Sequence, residues 1–80
     1  MDKKVTIYST PVCMYCAMAK DFLKKNNINY TEHDVANDEA MRKEMFEKSH
    51  QMGVPVIDID GEIFVGFNRK ILSEALGIEQ

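Results

Sequence analysis

Val5-Thr6-Ile7-Tyr8, then Ser9-Thr10-Pro11, then Cys13-Met14-Tyr15-Cys16: this stretch decides how the chain folds. The β-branched and aromatic run alternates apolar with polar residues, as a half-buried strand does, and Ser-Thr-Pro breaks it. Helical spacing begins at the cysteines, with Tyr15, Ala19, Phe22 and Leu23 on one face to about Asn26 and Lys20, Lys24 and Lys25 elsewhere. Two thiols three positions apart on the first turn of a helix can close into a small disulfide ring and open again, which is the chemistry of dithiol exchange. They are the chain's only cysteines.

Beyond Asn26-Asn27 the residues from Ile28 to Val35 read as a second strand. Asn37 or Asp38 is placed to cap a second helix that runs to about Ser49 and buries Met41, Met45 and Phe46. Val54 to Ile59 reads as a third strand, Asp60-Gly61 as a two-residue turn, and Glu62 to Val65 as its antiparallel neighbour. Asn68 then caps a last helix with Ile71, Leu72, Ala75 and Leu76 as its apolar positions and Gly77 as its stop. The expected order is βαβαββα, an α/β arrangement in which a mixed four-stranded sheet packs with three helices.

With 80 residues, 45% of them hydrophobic, residues 1–80 are expected to form one domain that needs no disulfide scaffold. A formal charge of −3, with acids and bases interspersed, argues against a nucleic-acid partner. Met1-Asp2-Lys3-Lys4 leads directly into the first strand without an apolar leader, and no stretch approaches membrane-spanning length, so a cytoplasmic location away from membranes is expected. A lone structural disulfide would not persist there, which leaves catalysis or metal binding for the cysteine pair. A zinc site would need two further ligands, and only His33 and His50 are available, on different expected elements. A c-type haem attachment would need histidine where Ala17 stands. No bound metal or cofactor is therefore expected; the redox centre is the Cys13-Cys16 pair itself.

The motif after the first strand and Val54-Pro55 before the third closely resemble the glutaredoxin family of the thioredoxin fold, and the resemblance covers nearly all of the chain. It implies strand order 2-1-3-4, which makes Cys13 and Pro55 neighbours. It also implies a cis bond before Pro55, leaving the main chain of Val54 to pair with an extended substrate segment. Tyr15 resembles the family's aromatic wall beside the sulfur, and Gly66, Phe67 and Asn68 fall where the family contacts its substrate. Met14 stands where many glutaredoxins carry proline, in a place to contact substrate or tune the redox potential.

The helix supplies the division of labour. Unpaired N–H groups and the helix dipole favour an ionised sulfur at the N-terminal edge, so Cys13 is the expected nucleophile and Cys16, one turn further in, the resolving thiol. Lowering a thiol's pKa raises its ionised fraction but weakens each thiolate, with a Brønsted slope of about 0.4–0.5. The larger benefit is thus as a leaving group when the mixed disulfide is opened.

The family binds glutathione through a lysine three residues before the first cysteine, the residue before the cis proline, and a Gly-Gly-then-acid stretch after strand four. Here Thr10, Phe67 and Asn68-Arg69 depart from that pattern, and Arg69 would repel glutathione's ammonium group. These departures resemble glutaredoxin-like electron donors, monomers that a thioredoxin reductase recharges and that reduce ribonucleotide reductase or other disulfide proteins. Two alternatives remain: glutathione as the external reductant, and an iron–sulfur cluster held between two copies with outside thiols.

Overall fold

The seven expected elements form in the expected order in a computed structural model that describes residues 3–78. Met1-Asp2 and the last two positions of the expected 1–80 domain lie outside the described residues. The elements are β1 (Val5–Ser9), α1 (Met14–Lys25), β2 (Thr31–Asp34), α2 (Glu39–Ser49), β3 (Val56–Ile59), β4 (Glu62–Val65) and α3 (Arg69–Leu76). The sheet order is β2-β1-β3-β4, with β1 parallel to β2 and the other two pairs antiparallel. This is the thioredoxin-like order implied by the resemblance, and it sets the end of β1 beside the start of β3.

Strand alternation divides the interior in two. Val5 and Ile7 of β1 join Ile57 and Ile59 of β3 on one face, where Ala19, Phe22 and Leu23 of α1 and Leu72 of α3 cover them. Tyr8 and Val56 point the other way and meet Val35 and Met45. Asp60 and Gly61 both adopt positive φ, 51° and 94°, the turn that matches strand twist and pairs Ile59 with Glu62.

Several boundaries and faces differ from those expected. The second strand starts at Thr31 rather than Ile28, because Ile28 is used to close α1. The Ile28 N–H donates to Leu23 O at 2.9 Å and the Asn27 N–H to Lys24 O at 3.1 Å, with Asn27 left-handed at φ 57°. Pairing of the third strand begins at Val56 rather than Val54. Tyr15, Phe46 and Ile71 are exposed rather than buried, each one position off the face that actually faces inward: Cys16, Met45, and Leu72 with Ser73 are fully covered. One position is a rotation of about 100° on a helix, enough to turn a side chain from core to solvent.

A polar network fastens α2 to the sheet. Lys48 Nζ donates to Asp58 Oδ2 at 2.8 Å and to Tyr8 Oη at 2.7 Å, and lies 5.1 Å from the centre of the Tyr8 ring, while the Tyr8 hydroxyl donates to Glu44. Burial opposes ionisation of Asp58, but the hydrogen bonds from Lys48 and from the Gly61 N–H outweigh it and hold the carboxyl below its usual range. Its contribution to stability is therefore complete above the unfolded value of about 4 and is lost as pH falls through the lower folded value. Lys48→Ala, which strands Asp58 and the Tyr8 hydroxyl, is expected to cost about 1–3 kcal/mol in urea unfolding at pH 7. The same variant should show a smaller loss between pH 5 and pH 2 than the parent protein.

Candidate active site

Cys13 occupies the N-cap of α1. Thr10-Pro11-Val12 turns the chain away from β1, the Cys13 N–H donates to Thr10 O at 3.4 Å, and Cys13 itself is extended, with φ −90° and ψ 115°. Its carbonyl accepts the first helical bond, from the Ala17 N–H at 3.2 Å, and its Sγ accepts from the Cys16 N–H at 3.1 Å. The other two helices place an oxygen in this role: Asp38 Oδ1 accepts from the Met41 N–H and Asn68 Oδ1 from the Ile71 N–H. In α1 a sulfur stands at the positive end of the dipole, and no acid in the first turn competes with it.

Cys16 is different in kind. It is fully buried, and burial together with its hydrogen bond to Cys13 pushes its thiol up to about 12, against smaller contributions from the Thr10 N–H and Lys20. Both thiols are free, Cys13 half-buried and Cys16 buried. One turn beyond Cys16, Lys20 Nζ pairs with Glu32 Oε2 at 2.8 Å, and the Ser9 hydroxyl donates to the same oxygen at 3.0 Å. The hydrogen bond from Lys20 overcomes burial to hold Glu32 below the usual carboxylate range, and the same bond raises Lys20. These residues were not singled out in the sequence, although the four-residue spacing of Cys16 and Lys20 on an amphipathic helix was the available signal.

The strand order brings Val54-Pro55 to the cysteines. The bond between them is cis, Pro55 is buried, and Val54 O lies 3.9 Å from Cys13 Sγ. Val54 stands outside the β3 ladder, so its main chain is not claimed by the sheet, while Pro55 O accepts from the Gly66 N–H at 2.8 Å. Around Cys13 the exposed side chains are apolar: Val12 is 93%, Met14 74% and Tyr15 59% exposed. Tyr15 is thus an outward wall at the motif rather than a core residue.

The remaining candidates have structural work. Gly66, with φ 84°, holds Pro55; Phe67 packs edge-on against Phe22 with ring centres 5.8 Å apart; Asn68 spends its side chain capping α3. No hydrogen bond among the described residues links Phe67 or Asn68 to the cysteines. His33 packs against the Tyr8 ring at 5.4 Å and His50 ends α2, so the two histidines do not converge on the thiols. No helix among the described residues is long and apolar enough to cross a membrane.

Comparison with known proteins places this geometry. The Glutaredoxin family model matches residues 5–65. An uncharacterized glutaredoxin-like 8.6 kDa protein in the rubredoxin operon of Clostridium pasteurianum is 51% identical over 65 residues, 81% of this chain and 87% of its own. Among solved structures, a point variant of the thioredoxin-like protein BC3987 matches with a TM-score of 0.90 at 38% identity, over 95% of this chain and 97% of that one. A glutaredoxin from Archaeoglobus fulgidus matches with a TM-score of 0.84 at 19% identity over 91% of this chain and 85% of its own, a likeness of fold alone. A family model that spans most of the chain, and a relative 51% identical over 81% of it, make this chain a member of the glutaredoxin family.

Proposed function

We propose that the chain is a dithiol electron carrier that reduces disulfides through Cys13 and Cys16. The observation that carries this reading is the contrast between the two sulfurs: one caps a helix at the surface, the other is buried a turn below it. Cys13, as the thiolate, attacks one sulfur of a substrate disulfide, and the other substrate sulfur leaves and takes a proton from solvent. Cys16 gives up its proton as it attacks Cys13 Sγ, releasing the second substrate sulfur. Two electrons pass to the substrate, and the carrier is left as its Cys13-Cys16 disulfide for an external dithiol to reduce.

A thioredoxin reductase type system is the favoured source of those electrons, and protein disulfides such as that of ribonucleotide reductase are the favoured acceptors. Thr10 stands where the family carries a lysine, Asn68 is committed to its cap, and Arg69 puts a cation at the start of α3. That set is poorly matched to glutathione, whose ammonium group would meet Arg69. The similar clostridial protein lies in a rubredoxin operon, which fits a carrier in redox metabolism. Glutathione-dependent turnover is the second reading, supported by family membership.

Four measurements test these assignments. Cys16→Ser should accumulate mixed disulfides with substrates and Cys13→Ser should abolish exchange; full activity in Cys13→Ser would remove the assignment of nucleophile. Calorimetry should find glutathione binding weaker than about 1 mM beside ready turnover with a thioredoxin reductase, and a micromolar Kd would reverse that preference. The burial of Cys16 gives a pH signature. Its folded value of about 12 lies above the ordinary thiol value of about 8.5, so its contribution to stability is intact below the latter. That contribution is lost as pH rises toward the folded value, at up to about 1.4 kcal/mol per pH unit. Urea midpoints of the reduced protein should therefore fall from pH 8 to pH 10 more steeply than those of Cys16→Ala. Iodoacetamide at pH 8 should modify Cys13 alone.

A further inference from the structure

Between α2 and Val54 the chain passes through His50–Gly53, a surface loop in which Met52 and Gly53 are exposed. Few apolar contacts hold such a segment, and loops of this kind sit at the low-stability end of a structure. Here one side chain does the holding. Gln51 folds back so that its Oε1 accepts from the Gly53 N–H at 2.6 Å, and its Nε2 donates to Gly53 O at 3.1 Å and to Ser49 Oγ at 3.1 Å. The Ser49 hydroxyl lies 2.8 Å from Met45 O and 3.0 Å from Gln51 O, and with its single proton it ties the clamp to the last turn of α2. Gly53 is required by this arrangement: a Cβ there would stand 2.7 Å from Gln51 Oε1.

The clamp takes both main-chain groups of Gly53, as a neighbouring strand would, and ends one residue before Val54, whose carbonyl faces Cys13 Sγ at 3.9 Å. A main-chain edge beside a reactive sulfur, with exposed apolar side chains at Val12, Met14 and Tyr15, suits an extended polypeptide better than a small charged thiol. We infer that Gln51 is a positioning residue for polypeptide disulfides: by holding both main-chain groups of Gly53 it fixes the approach to Val54 in advance, so that an extended segment with apolar residues flanking its half-cystine pairs with the Val54 main chain without first organising the loop. The inference rests on the reading of Cys13 as nucleophile.

Single-turnover oxidation of the pre-reduced protein tests it, by a peptide disulfide and, in parallel, by 2-hydroxyethyl disulfide, which is too small to use the edge. In each case the protein dithiol becomes a disulfide and two substrate thiols are released, so no other reductant is needed. Gln51→Ala should raise the half-saturating concentration of the peptide about tenfold, with its limiting rate and the rate for the small disulfide within about twofold. Gly53→Ala displaces the Gln51 amide by crowding rather than removing it, and should give the same selective loss should Gln51→Ala fail to fold. Unchanged half-saturation by the peptide, or a loss shared by both disulfides, overturns the inference. A Cys13→Ser protein that still turns over either disulfide overturns the nucleophile assignment and the clamp together, whereas a silent Gln51→Ala overturns the clamp alone.

Discussion

The hydrogen bond from the Cys16 N–H to Cys13 Sγ is the constraint on which the rest of the structure depends. A helix must end its first turn with unpaired donors, and something has to face them. In α2 and α3 an ordinary side-chain oxygen does so. In α1 the chain uses a sulfur, which secures the helix only moderately and leaves the donors directed at a group that can gain or lose charge. The same bond ties the sulfur of one cysteine to the main chain of the other, one turn further in.

Around that bond the fold provides position rather than further chemistry. β1 is paired on both sides, so its C-terminal end, and with it the start of α1, has little freedom. The antiparallel register of β3 brings Val54 to the sulfur, and the Gly66 N–H steadies the neighbouring Pro55 carbonyl from the far side. The two halves of the interior are held differently. The face under α1 and α3 is a continuous apolar cluster, whereas the face under α2 is smaller and is supplemented by the Tyr8, Glu44, Lys48 and Asp58 network. A short, largely polar helix with only Met45 fully buried needs that supplement to stay docked.

Most of this could be read from the residues. Strong local signals located the ends of elements: the Asp60-Gly61 turn and the stop at Gly77 need a left-handed backbone that few residues accept, and the caps, read as Asn37 or Asp38 and as Asn68, need a short side-chain oxygen, which Asp38 and Asn68 supply. The cysteine pair was legible for a similar reason, as its spacing and its place after a strand leave few other uses. What sequence could not give was helix rotation to within one residue: Tyr15 against Cys16, Phe46 against Met45 and Ile71 against Leu72 are choices between adjacent apolar residues that only packing decides. Ile28 misled because a residue that closes a helix and packs on the core has the same composition as the start of a strand. Gln51 carried no signal at all, since its role depends on a side chain returning to its own loop.

The sulfur at the start of α1 joins two equilibria that are usually treated apart. Because Cys13 Sγ both caps the helix and belongs to the dithiol pair, folding and electron content form a closed thermodynamic cycle. Whatever the native state gains by keeping the pair open it must also express as an appetite for electrons, relative to the same two cysteines in an unfolded peptide. In such a cycle a mutation far from either thiol that loosens the first turn of the helix shifts the voltage at which the cysteine pair changes state.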